Sequence, residues 1–423
     1  MNTGLPPDAR SPAEPPRAHG GGAPPAAASL GGSLVVRVCA LTDVGQTREH
    51  NEDAYLVAEL AHAEPLAFAD DPGPHGDGSA AGGPAAGAAG ALPAPSPVVH
   101  ERAPADDGML FIVADGLGGA AAGEVASRMA VRAVFEAMRA RAPDAAADAD
   151  AFATALRDAA HAANAAIHQY AARHPEFRGM GTTLTAAAVR GDALFVAQVG
   201  DSRAYLVRDG VARQLTKDQS LMQKLIEAGE ITPEQAETSL RRNIILQALG
   251  PEASVKVDLT HQRLRQGDLL LLCSDGLSGQ VRASALAAAA EGAADLAALC
   301  TTLVGLANDS GGPDNITVVA ARFDGPALER AGGDDDDHVG HRAFTVAAPT
   351  PDAPIAPILP AATFAPAATP GAAPRPTASR GAAPGVPPAE LEERRDRARV
   401  VYVLLAALAA LLATVLLWRF LSA

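Results

Sequence analysis

Cysteine is scarce, with Cys39, Cys273 and Cys300 the three in 423 residues. No pair has CxxC spacing, and the odd count argues against a closed disulfide framework. All three are expected as small buried apolar residues in a reducing compartment. Positive charge is also short: 34 Lys and Arg against 49 Asp and Glu give a formal charge of −15. No basic patch stands outside residues 394–399. Phosphate backbones require a basic face, so no nucleic-acid partner is expected. Several enzyme signatures are missing too: HExxH, GxxxxGK[ST], GxSxG and the kinase loop set do not occur. The N-terminus lacks a charged stretch followed by an apolar one, so no secretory leader is expected.

What is plentiful is alanine, with 40 glycines and 33 prolines, unevenly spread. Residues 1–32 hold too little apolar surface to offset ordering and read as a disordered tail. Residues 61–107 have the same composition and read as a low-complexity insertion in a hairpin connection, which closure entropy tolerates. Residues 325–390, Pro- and Ala-rich with the acidic run Asp334–Asp337, read as a solvated linker. One ordered domain, 33–324, is left between the tail and the linker.

A basic segment, 391–399, precedes Val400–Trp418, which is 19 residues without a charge. At 1.5 Å per residue that is about 28 Å of helix, close to a hydrocarbon core of ~30 Å. Tyr402 and Trp418 stand near its ends, as interfacial aromatics do. Arg394, Arg395, Arg397 and Arg399 lie before it and only Arg419 after it. A single-pass helix over 400–420 in the inner membrane is expected, with the N-terminal domain in the cytoplasm.

Within 33–324, strands are expected at Leu34–Ala40, Asp53–Ala58, Met109–Ala114, Met180–Ala186, Ala193–Ala197, Ala204–Val207, Val255–Leu259, Asp268–Ser274 and Asn315–Phe323. Helices are expected at Ala121–Arg141, Ala151–Arg173, 281–291 and 294–309, with 218–248 partly helical. Short turns between neighbouring strands favour antiparallel sheets with helices packed on them, an α+β class. His161, His168 and His174 fall on or after an Ala-rich helix and read as a solvated face.

Two strand ends echo each other. Met109–Ala114 runs into Asp115-Gly116-Leu117, and Leu269–Ser274 into Asp275-Gly276-Leu277. More carboxylates stand on similar turns: Glu52 and Asp53 before a strand, Asp201 after Val199-Gly200, and Asp314 within Gly312-Pro313-Asp314-Asn315. Singly, each reads as a turn or cap residue. Together they are a set of hard oxygen donors suited to divalent cations.

The ordered series Thr42–Asp53, Ala114–Gly119, Gly179–Thr183, Val199–Arg203, Ser274–Leu277 and Gly312–Asn315 resembles the motifs of the metal-dependent serine/threonine protein phosphatases, the PPM or protein phosphatase 2C family, in its bacterial branch. The resemblance implies an α-β-β-α sandwich of two antiparallel sheets flanked by helix pairs, in addition to the disordered segments and the transmembrane helix. It implies hydrolysis of phosphoserine and phosphothreonine in proteins by a water bridging two Mn2+ or Mg2+ ions. Asp115 would bridge both ions, with the Gly116 carbonyl on one; Asp275 and Asp314 would complete the other. Glu52 would act through bound water, and Asp53 and Asp201 match positions of a third, weaker ion. Arg48 matches the arginine that holds the substrate phosphate, for which a guanidinium fork is suited. Asp115, Asp275 and Asp314 are the expected catalytic set. The segment Ser220–Ile245 corresponds to the family's flap. Leu117 departs from eukaryotic members, which place a proton-donating histidine there. The implied partners are phosphorylated proteins, a bacterial Ser/Thr kinase and its substrates. A catalytically silent phosphoprotein receptor on the same fold is the alternative; the intact ligand positions weigh against it.

Overall fold

Two six-stranded sheets, antiparallel throughout, carry the structure. The computed structural model describes residues 33–68, 98–100, 108–141, 148–237, 239, 241–333 and 338–346. In chain order the first half holds β1 (Val35–Asp43), β2 (Ala54–Glu59), β3 (Ala67–Phe68), β4 (Val98–His100), β5 (Met109–Ala114), β6 (Gly116–Leu117), α1 (Ala120–Arg141) and α2 (Ala149–Arg173). Then come β7 (Gly181–Thr182), β8 (Leu184–Arg190), β9 (Ala193–Val199), β10 (Arg203–Arg208), β11 (Val211–Gln214), α3 (Leu221–Glu227) and α4 (Pro233–Glu237). The rest is β12 (Asp258–Arg263), β13 (Leu269–Cys273), α5 (Asp275–Ser278), α6 (Ala283–Gly292), α7 (Leu296–Asp309) and β14 (Ile316–Asp324). One sheet runs β11-β10-β13-β14-β1-β4, the other β12-β9-β8-β5-β2-β3.

The continuous apolar runs of β5 and β13 make sense in this layering. Phe111 and Val113 of β5 face Leu270 and Leu272 of β13 in the core between the sheets. There Phe111 meets Phe323 edge-on, ring centroids 6.2 Å apart. The alternate residues face outward: Leu110 and Ile112 pack under α1 and α2 with Phe135 and Phe152. Leu269, Leu271 and Cys273 pack under α6 and α7 with Leu299 and Leu303. A strand covered on both faces reads as an unbroken apolar run. The two echoing strands are therefore central strands of opposite sheets.

The structure departs from the sequence reading in several places. The strand expected at Met180–Ala186 breaks: Gly181–Thr182 turns away to pair with Gly116–Leu117, and β8 begins at Leu184. The 218–248 stretch forms only the short helices α3 and α4, and β12 lies three residues later than expected. His161 is exposed as expected, while His168 and His174 are half-buried with Nδ1 against the backbone carbonyls of Gly250, at 2.8 Å, and Tyr170, at 3.0 Å. The insertion 61–107 is not low-complexity to its ends, since β3 pairs with β2 and β4 with β1.

The linker also begins later than 325. Leu328 and Val339 are buried in the inter-sheet core. Phe344 packs against Phe195, centroids 5.2 Å apart, and its N–H donates to the Leu259 carbonyl at 2.8 Å. Three apolar side chains suffice to pin the segment to the edge strand, and average composition conceals them. The tail 1–32, the interior of the insertion, residues 347–399 and the expected membrane helix at 400–420 lie outside the described residues. Among the described residues no helix is long and apolar enough to cross a membrane.

Candidate active site

The carboxylates singled out in the sequence stand at one end of the sandwich. β5 delivers Asp115, whose backbone is pinned on both sides. Its N–H donates to Thr183 Oγ1 at 2.9 Å, and its carbonyl accepts from the Thr183 N–H and Thr182 Oγ1, each at 2.9 Å. From the opposite sheet β13 delivers Asp275, the first residue of the single-turn helix α5. The Asp115 and Asp275 carboxyls stand within hydrogen-bonding reach of each other.

Asp53, just before β2, is held through one oxygen. Its Oδ2 accepts from Ser274 Oγ and Thr317 Oγ1, both at 2.7 Å. Asn315 organises the polar loop before β2: it donates to the Val44 and His50 carbonyls at 3.0 and 2.9 Å and accepts the Glu52 N–H at 2.8 Å. Gly116 backs onto Gly123 of α1 and the Glu52 carbonyl, and a Cβ at Gly116 would overlap both. Asp201 occupies the turn between β9 and β10. Asp314 precedes β14, and its Oδ2 accepts from Arg48 Nη2 at 2.7 Å. Arg48 is about half exposed, at 48 %. Leu117, in β6, pairs with Gly181 and offers no proton.

Crowding acids away from water raises their pKa values. Burial pushes Asp53 up to about 7, against the hydrogen bonds from Thr317 and Ser274. Burial, with repulsion from Asp275 and Asp218, pushes Asp201 up to about 8. Asp115 lies well above the usual carboxylate range, through burial and then repulsion from Asp53, Asp275, Asp201 and Asp314. Burial also raises Asp275 and Glu52.

The donor set suits a divalent cation. Asp53 Oδ1 and Asp201 Oδ1 are buried and have no hydrogen-bond partner among the described residues. Such oxygens are costly unless a proton or a cation meets them. Among the described residues no three acids stand as a finished ligand triad. Instead, Arg48 neutralises Asp314 and Asp115 leans on Asp275. The residues fit hard cations by chemistry and position.

A pH dependence follows. Asp53 and Asp201 ordinarily titrate near 3.8, and the metal-free fold raises them to about 7 and about 8. The folded state then binds protons more tightly than the unfolded chain, so stability falls as pH rises from about 4 to about 8. Chelator-treated protein is expected to melt roughly 5–10 °C lower at pH 8 than at pH 5. Mn2+ should restore more at pH 8 than at pH 5. A melting temperature flat across that range would contradict this.

Comparison with known proteins agrees with the geometry. Residues 101–311 match the Protein phosphatase 2C family profile. The serine/threonine phosphatase stp of Listeria monocytogenes is 41% identical over 219 residues, 52% of this chain and 86% of that protein. The chain belongs to the protein phosphatase 2C family. PstP of Mycobacterium tuberculosis, a serine/threonine protein phosphatase, is 43% identical over 213 residues, 50% of this chain and 40% of PstP. The catalytic domain of PstP, solved in complex with two manganese ions, is 33% identical and matches with a TM-score of 0.51, covering 69% of this chain and 100% of that one. Its sandwich is thus the protein phosphatase 2C architecture expected from the motifs.

Several residues of this protein phosphatase 2C site were not singled out from sequence for the work they do. Thr317 and Gly123 carried no signal of their own, while Thr183 and Asn315 stood in the motif series without an assigned part. Ser274 was visible beside Asp275, but its partner Asp53 lies 221 residues away.

Proposed function

We propose that this protein removes phosphoryl groups from phosphoserine and phosphothreonine in proteins, using Mn2+ or Mg2+ held by the carboxylate cluster. The observation that carries this is Asp115 ringed by four other aspartates, two of which present buried oxygens without a partner among the described residues. Asp115, the Gly116 carbonyl, Asp275 and Asp314 would hold two ions, Glu52 acting through water. Asp53 and Asp201 would serve a third. Bound divalent ions supply an activated water and offset charge on the phosphoryl oxygens.

The chain's own residues do the rest. Thr182 and Thr183 fix the backbone of Asp115, so the turn that carries its carboxylate is set before any ion binds. Ser274 and Thr317 hold one oxygen of Asp53 and leave the other directed inward. Arg48, on the rim and paired with Asp314, would turn to the substrate phosphate. Leu117 donates nothing, so no side chain at that position protonates the leaving alkoxide.

Arg48→Ala is expected to lower kcat/KM for a phosphothreonine peptide on the order of 10–100-fold, mainly through KM. Arg48→Lys should recover only part, because the bidentate fork is lost. Unchanged KM in Arg48→Ala would remove Arg48 from phosphate binding.

The natural counterpart of such an activity is a bacterial Ser/Thr kinase and its substrates. On sequence alone, the apolar segment 400–420 with its preceding arginines tethers the domain to the inner membrane, facing the cytoplasm. Fractionation tests the tether: the full chain should sediment with membranes and a chain ending at 399 should not.

A further inference from the structure

β9 sends Leu194 and Val196 into the core between the sheets, and the next residue on that face is Gln198. An apolar side chain would extend the core at this place, whereas a buried amide is costly unless its polar atoms are met. Gln198 is 1 % exposed, and its amide is met at both ends. Its Nε2 donates to the Gly200 carbonyl at 3.1 Å and to the Ser202 carbonyl at 2.7 Å, the backbone oxygens on either side of Asp201. Its Oε1 accepts from Thr185 Oγ1, across the β8–β9 ladder, at 2.7 Å. The same turn is tied to Asp115. Ser202 Oγ lies 2.7 Å from Thr183 Oγ1, the hydroxyl that accepts the Asp115 N–H. Gly200 has a φ of +97°, and a Cβ there would overlap the Thr183 side chain, so turn and threonine close directly on each other.

Thr183, Thr185 and Ser202 are fully buried, so these bonds form one network beneath the carboxylates that ends on the Asp115 backbone. Such networks hold their members in a single arrangement when every group is satisfied. One oxygen of Asp201 has no partner among the described residues, which leaves the backbone of the turn to aim it. We infer that Gln198 is a positioning residue: it sets the Asp201 turn relative to Asp115 and thereby the affinity for the cation that Asp201 would hold. This rests on the metal reading above and extends it to a residue outside the carboxylate set. Groups that orient a metal ligand without touching the ion govern affinity in this way.

The test is a calorimetric Mn2+ titration of the full chain in detergent after chelator treatment, run as a double-mutant cycle with Asp201→Asn. Gln198→Met keeps the side chain's length and removes its three hydrogen bonds. With Asp201 present it is expected to weaken the weakest class of bound Mn2+ by about tenfold. In the Asp201→Asn background it should weaken Mn2+ binding no further, because the residue acts through Asp201. Equal weakening in both backgrounds would mean that Gln198 serves the fold alone, and it overturns the inference. Unchanged affinity in the Asp201 background overturns it too. If Gln198→Met does not fold, Gln198→Asn carries the cycle, since its amide is one methylene shorter and loses part of the set. A severalfold weakening confined to the Asp201 background is then expected, and its absence overturns the inference. A wild type that binds no Mn2+ at millimolar concentration would defeat the metal reading itself, and the inference with it.

Discussion

Asp115→Asn is expected to lower turnover of a phosphothreonine peptide by at least about a thousandfold, roughly 4 kcal/mol of transition-state stabilisation. The substitution keeps shape and removes charge at a residue repelled by four neighbouring aspartates. Its backbone contacts to Thr182 and Thr183 do not involve the side chain, so the turn should persist. A second readout separates lost chemistry from lost folding. Burial and repulsion destabilise the charged Asp115 in the metal-free fold, so a neutral amide should leave its melting temperature unchanged or raise it. More than a tenth of wild-type activity would remove Asp115 from the centre of the reaction. Inactivity with a collapsed melting temperature would mean Asp115 serves the fold instead.

The largest expected loss of stability lies at the far end of β10. Arg208 Nε and Nη2 donate to the two oxygens of Asp268, at 2.8 and 2.7 Å, and Asp268 is 1 % exposed. The Arg265 N–H adds a third hydrogen bond at 2.7 Å, and Arg208 Nη2 also donates to the Arg263 carbonyl. Arg208→Ala strands a buried carboxylate, which costs about 3–5 kcal/mol. The melting temperature should fall by about 10 °C. Replacing both partners, in Arg208→Met with Asp268→Leu, should recover most of it, since the penalty belongs to the unpaired charge. The Asp115 turn lies at the other end of the sheets, so kcat of the folded fraction should hold. A shift below 2 °C would mean that water reaches Asp268.

The parts of the fold legible in the sequence were those with a long, uniform signal. β5 matched its expected ends at Met109 and Ala114, and α1 and α7 followed their apolar spacing closely. The illegible parts depend on partners distant in the chain. Gly181–Thr182 leaves the β8 line because Gly116–Leu117 offers it a ladder. Phe344 is ordered by Phe195 and His261, which no local window contains. The site divides the same way. Its acids were visible because each stands at a strand end or turn, with Asp115, Asp201 and Asp275 directly beside glycine, a local pattern. The hydroxyls and amides that aim them were not, because Ser274, Thr317 and Asn315 reach residues more than 200 positions away. Roles among the acids came from resemblance to the family, and pairwise geometry alone does not assign them.

The insertion ends show the limit of composition as a guide. Residues 61–107 are rich in Pro, Gly and Ala, yet β3 and β4 extend an edge of each sheet. Two or three residues with free backbone groups are enough to pair with an exposed edge, whatever surrounds them.

The claim that this cluster is a divalent-cation hydrolytic centre is tested most directly by turnover of a phosphothreonine peptide against free Mn2+ after chelator treatment. Turnover should be absent in chelator and rise to saturation as Mn2+ is returned, with Mg2+ able to substitute. Equal turnover in chelator and in saturating Mn2+ would contradict it.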